Sequence, residues 1–131
     1  MTKGRAILFA ALAGAGALSA SGLSRGAAPA HSLLVRSEPG RNATVTRAPE
    51  RVKLWFGERI EPAYAELSVW SEASKQVDAG DAAVAPDDPA LLTVRTHSLG
   101  PGRYTVRFRV LSVDGHVVES SFAFTVKAAL R

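Results

Sequence analysis

Beyond residue 30 the chain alternates apolar and polar side chains with the two-residue period of strands. Val52, Leu54 and Phe56 alternate with Arg51, Lys53 and Trp55, Leu67 and Val69 with Glu66 and Ser68, and Leu92, Val94 and Thr96 with Thr93 and Arg95. The clearest run sets Tyr104, Val106, Phe108 and Val110 against Arg103, Thr105, Arg107 and Arg109, which predicts an antiparallel sheet with one apolar and one cationic, solvated face. A last strand is predicted from Phe122, Phe124 and Val126 on one side and Ser121, Ala123 and Thr125 on the other. Turn chemistry punctuates the runs at Glu38-Pro39-Gly40-Arg41-Asn42, at residues 78–81 and 86–89, at Gly100-Pro101-Gly102 and at Asp114-Gly115. No stretch after residue 30 carries a helical stripe. The pattern predicts an all-β fold, a two-sheet sandwich or small Greek-key barrel of about seven strands. Residues 71–90 are acidic, rich in Ala and poor in large apolar side chains, so they are expected to form a long surface excursion.

The amino end follows a different rule. Lys3 and Arg5 precede the Ala- and Gly-rich apolar run of residues 6–20, and Ala28-Pro29-Ala30 closes the segment with small residues. That order is expected of a secretion signal, residues 1–30, cut after Ala30 to leave a domain of residues 31–131. A transmembrane anchor is the rival reading. It needs about 20 mostly apolar residues, more than this run supplies, and no second apolar span follows. Export is expected to leave the domain outside the cytoplasm as a soluble monomer.

Trimming also changes the charge. The full chain is +4, whereas residues 31–131 hold 13 basic against 12 acidic side chains, so composition offers no case for a nucleic-acid partner. Cysteine is absent, which excludes a disulfide framework, a thiolate copper site and a zinc knuckle. The only methionine is Met1, so no soft thioether site for Cu(I) is available after trimming.

Three histidines remain: His31, His97 and His116. Cleavage after Ala30 makes His31 the first residue, and its free α-amine and Nδ1 can then close a six-membered chelate ring, the arrangement called a histidine brace. One further imidazole opposite these two nitrogens gives the tetragonal nitrogen set that suits Cu(II). His116 lies in Ser112-Val113-Asp114-Gly115-His116, where Asp-Gly favours a tight turn and the Asp114 carboxylate and His116 ring, two positions apart, can point the same way. Taken alone this segment also reads as a plain hairpin turn. His97 has no ligand neighbour in sequence and is expected at the surface. Trp55 and Trp70 are expected to be packing residues rather than a binding platform.

These segments together resemble one family. The start His31-Ser32-Leu33-Leu34, the Ser37-Glu38-Pro39-Gly40 turn, the strand Val52-Lys53-Leu54-Trp55-Phe56-Gly57-Glu58, and Gly102-Arg103-Tyr104-Thr105-Val106 leading to Ser112-Val113-Asp114-Gly115-His116 look like the CopC proteins of periplasmic copper resistance. The similarity spans residues 31–127. It implies an immunoglobulin-like or cupredoxin-like sandwich, no enzymatic turnover, and a carrier or buffer of copper in homeostasis or resistance. It also implies one Cu(II) per chain, held by the amine and ring of His31 and the ring of His116, with Asp114 as an oxygen ligand or supporting partner. Glu58 matches an acidic position that some members place near the metal. A CopD-type inner-membrane protein is the implied delivery partner. The chain departs from members with a methionine-rich Cu(I) site, and it has Phe108 where another aromatic is usual. Two other classes explain parts of the pattern: a small copper oxygenase, since braces occur there too, and a metal-free immunoglobulin-like interaction domain.

Overall fold

The computed structural model describes residues 33–128, and the alternation becomes eight strands there: β1 (Leu34–Glu38), β2 (Thr44–Val45), β3 (Arg51–Phe56), β4 (Glu66–Ser71), β5 (Ala83–Ala85), β6 (Asp88–Arg95), β7 (Gly102–Leu111) and β8 (Val117–Val126). A single 3-10 turn, Pro62–Tyr64, is the one helical element among the described residues. Two four-stranded sheets result, ordered β1-β3-β6-β5 and β2-β8-β7-β4. Only β5–β6 and β7–β8 are joined as hairpins within one sheet; the other connections cross between sheets, as in a Greek-key sandwich. The parallel pairing of the short β2 with β8 is the exception in an otherwise antiparallel structure.

The inward positions named by the alternation meet between the sheets. Val52, Leu54 and Phe56 of β3 and Leu92 and Val94 of β6 face Val69, Tyr104, Val106, Phe108, Val110, Phe122 and Phe124, all buried. Phe56 and Phe108 touch across the core edge-to-face with ring centroids 5.7 Å apart, so Phe108 of β7 supplies a core ring. Arg103, Arg107 and Arg109 lie exposed on the outer face, as the charge pattern requires. Trp55 and Trp70 are half-buried on outer faces, beneath the guanidinium groups of Arg36 at 4.5 Å and Arg107 at 5.1 Å.

Residues 71–90 differ from expectation. They are not a free excursion, because the segment ties the edges of both sheets together. Val77 N–H donates to Val69 O of β4 at 2.8 Å, Ala79 N–H donates to Arg95 O of β6 at 2.8 Å, and residues 83–85 add β5 to the edge of β6. The anchor is Asp78, buried at 6% exposure, which accepts hydrogen bonds from Val69 N–H at 2.8 Å, Gly80 N–H at 2.9 Å and Gln76 Nε2 at 3.0 Å. A buried carboxylate so supplied with donors fixes a backbone that has few apolar side chains to hold it. Composition alone could not reveal this.

Strand directions place three segments at one end of the sandwich: the start of β1, the end of β3 and the β7–β8 turn. Leu34 pairs with Phe56, and Leu111 pairs with Val117 at the turn. Residues 57–61 run between the sheets there, with Glu61 N–H donating to Leu111 O at 2.8 Å and Val113 N–H to Arg59 O at 3.0 Å.

Candidate metal centre

The β7–β8 turn is built around Ser112. Its backbone N–H donates to His116 O at 2.9 Å, Gly115 N–H donates to Ser112 O at 2.9 Å, and Gly115 takes φ +94°, a conformation open to glycine. The Ser112 side chain, 1% exposed, donates from Oγ to Asp114 Oδ1 and accepts from His116 N–H at 3.2 Å. One buried hydroxyl thus fixes the carboxylate and the backbone of the imidazole residue together. Asp114 Oδ1 and His116 Nδ1 lie 3.2 Å apart, so the two side chains do point the same way.

Glu58 reaches this pair from the other sheet. It follows Phe56-Gly57 at the end of β3, and a carboxylate oxygen of Glu58, one of Asp114 and a ring nitrogen of His116 all lie within 4.8 Å of one another. The three come from two segments far apart in sequence, and the hydrogen bond between Val113 and Arg59 draws these together. Glu58 is half-buried, whereas Asp114 and His116 are exposed. Glu58 Oε2 is shielded from solvent and accepts no hydrogen bond among the described residues. An orphaned carboxylate oxygen beside a second carboxylate and an imidazole has the chemistry of a site for a cation. The Ser112 hydroxyl chiefly, with the His116 ring and N–H adding to it, holds Asp114 below the usual carboxylate range against the opposing effect of burial. Asp114 is therefore ionised, and ready to act as an acceptor or ligand, at neutral pH.

His31 lies outside the described residues, as does the expected signal segment, residues 1–30. The first described residue, Leu33, accepts a hydrogen bond through its carbonyl from Gly57 N–H at 2.7 Å, immediately before Glu58. His97 is exposed beyond the end of β6, and its N–H donates to Val77 O at 2.9 Å. The adjoining Thr96 N–H donates to Glu50 O, ahead of the start of β3, so His97 belongs to the opposite end of the sandwich and takes no part in the cluster. Sequence reading did not assign Ser112 a role. The signal was present in the spacing Ser-x-Asp-x-His, but nothing local indicates that the serine is buried.

A family model described as the CopC domain matches residues 34–127. The crystal structure of CopC from Methylosinus trichosporium OB3b superposes with a TM-score of 0.70 at 40% identity, covering 77% of this chain and 98% of that one. Copper resistance protein C of Xanthomonas campestris pv. juglandis is 34% identical over 125 residues, 91% of this chain and 98% of that protein. Copper transport protein CutJ of Bacillus subtilis is 28% identical over 101 residues, which are 76% of this chain but 19% of that longer protein. With a sandwich of the same architecture and a family match across nearly all the described residues, this chain belongs to the CopC family.

Proposed function

We propose that the protein is a periplasmic carrier or buffer of Cu(II), without catalytic turnover, and that it binds one ion per chain at the end of the sandwich formed by Glu58, Asp114 and His116. In this reading residues 1–30 are a leader removed after Ala30, and residues 31–131 are the working domain. The observation that carries the proposal is the convergence of an orphaned carboxylate, a second carboxylate and an imidazole at the same end as Leu33. His31 lies two residues before Leu33, within a chain reach of about 7 Å. In this reading the α-amine and ring of a terminal His31 complete the cluster. Together with His116 they supply a nitrogen-rich, borderline donor set that favours Cu(II) among divalent ions. Asp114 serves as an oxygen ligand or as the partner that orients the His116 ring, and Glu58 offsets the charge of the ion. The names of the relatives, copper resistance and copper transport, support copper as the cargo. A CopD-type inner-membrane protein is the proposed recipient.

Titration of the trimmed protein with Cu(II), followed by its visible absorption, tests this reading. One equivalent binds tightly, and His116→Ala weakens binding by more than the roughly 10–100-fold that loss of an outer partner costs. Affinity also falls in acid, because the amine and imidazoles must lose protons to bind. Unchanged binding in His116→Ala would overturn the assignment.

A further inference from the structure

The described residues leave four large apolar side chains exposed, and all four belong to the end of the sandwich that holds the candidate metal centre: Val35 at 66%, Tyr64 at 65%, Val117 at 57% and Val113 at 54%. Val35 Cγ1 lies 3.5 Å from where a Cβ on Gly57 would stand, next to Glu58. Val113 and Val117 flank Asp114 and His116 on the turn. Tyr64 and Val117 line a hollow of about 290 Å³ together with Leu111, Glu66 and Arg109. Single exposed apolar residues are ordinary, but their confinement to one end of a molecule marks a contact surface.

Charge is divided between the ends as well. Glu58, Glu61, Glu66 and Asp114 stand at the metal end, joined by Asp87 and Asp88 beside Pro89, whose carbonyl accepts from Ile60 N–H at 3.0 Å; against these six acidic residues stand Arg59 and Arg109. The far end carries Arg47, Arg51, Arg95, Arg103 and Lys127 against Glu38, Glu50 and Asp81. We propose, resting on the reading of this end as the copper site, that the collar of Val35, Tyr64, Val113 and Val117 docks a different protein that exchanges the metal. That partner presents an apolar patch rimmed by Lys or Arg. A second copy does not satisfy these requirements. Two metal ends face to face would set like charges together, and the basic far end has no exposed large apolar residue among those described to meet the collar. In CutJ the similar region is 19% of a longer chain, so a domain of this type also occurs joined to further polypeptide.

Photo-crosslinking tests the surface with the full chain in the cells that make it. A benzophenone-bearing phenylalanine replaces Tyr64 in one strain and Arg47, at the far end, in another. The expected result is one discrete adduct from position 64 to a protein other than itself, with the joined peptide apolar and flanked by Lys or Arg. None forms from position 47. Adding Val35→Ser and Val113→Ser to the position 64 strain lowers the yield about tenfold, and so does raised salt applied to intact spheroplasts. Equal adducts from both ends, an adduct only to a second copy or to lipid, no adduct, or a yield indifferent to the serine changes would overturn the proposal. Cu(II) titration of the same purified variants keeps the two readings apart. Tight copper binding with no collar-dependent adduct defeats the docking surface alone, and absent copper binding in the unaltered protein defeats the metal site itself.

Discussion

At the scale of single residues, the candidate site depends on a hydroxyl as much as on its charged groups. Ser112 Oγ is the atom that Asp114 Oδ1 and the His116 N–H share, and it is sealed from solvent. Ser112→Ala leaves both partners to find water or drift, so copper affinity should fall by about 10–100-fold while the fold loses only about 1–3 kcal/mol. Cu(II) titration alongside urea unfolding separates the two effects, and Ser112→Thr, which keeps the hydroxyl, should restore most of the affinity. A loss of affinity no larger than the loss of folded protein would deny Ser112 a positioning role. Asp114 and His116 were legible in the sequence because their spacing across an Asp-Gly turn is a local property. The orphaned oxygen of Glu58 was not, since it arises from a meeting of two sheets that no local pattern encodes.

At the scale of elements, the strands followed from alternation wherever one face is buried and one is wet. This is why β3, β4, β6, β7 and β8 stand where the period-two runs are. The short β2 and β5 escaped notice because two or three residues cannot display a period, and their pairing is set by neighbours distant in sequence. Segment 71–90 misled for the related reason that its anchor is polar. Asp78→Ala should leave the Val69 and Gly80 N–H groups without their acceptor and destabilise the domain by about 1–3 kcal/mol. Hydrogen exchange should quicken at Val69 and Gly80 first, with little change at the β7–β8 turn. A core change behaves differently: Phe108→Ala removes a ring packed on Phe56 and should cost about 3–5 kcal/mol. Thermal melts of the two variants measure both, and equal loss of exchange protection across the whole domain in Asp78→Ala would refute the local role.

At the scale of the whole molecule, acid acts at both ends of the sandwich. At the far end the Arg95 side chain, with its backbone N–H, holds the Asp81 carboxyl below the usual range, through contacts of 2.5 Å and 3.0 Å. A carboxyl with a lowered folded value contributes stability above the unfolded value of about 3.9 and loses that contribution as pH falls through the lower folded one. The pair is exposed, so its part is small. Asp81→Asn should lower stability slightly at neutral pH and make unfolding less pH-dependent below pH 4, as acid titrations of both proteins would record. Copper binding should fail at milder acidity than this, since imidazole and amine nitrogens take up protons well above the carboxylate range. The most direct test of the central claim is the pulsed EPR spectrum of trimmed protein loaded with one equivalent of Cu(II), compared with the same protein carrying one extra alanine before His31. The account predicts two imidazole couplings and an amine nitrogen in the first, with the amine signal and most of the affinity lost in the second. Identical spectra for the two, or a single imidazole in the unextended protein, would contradict it.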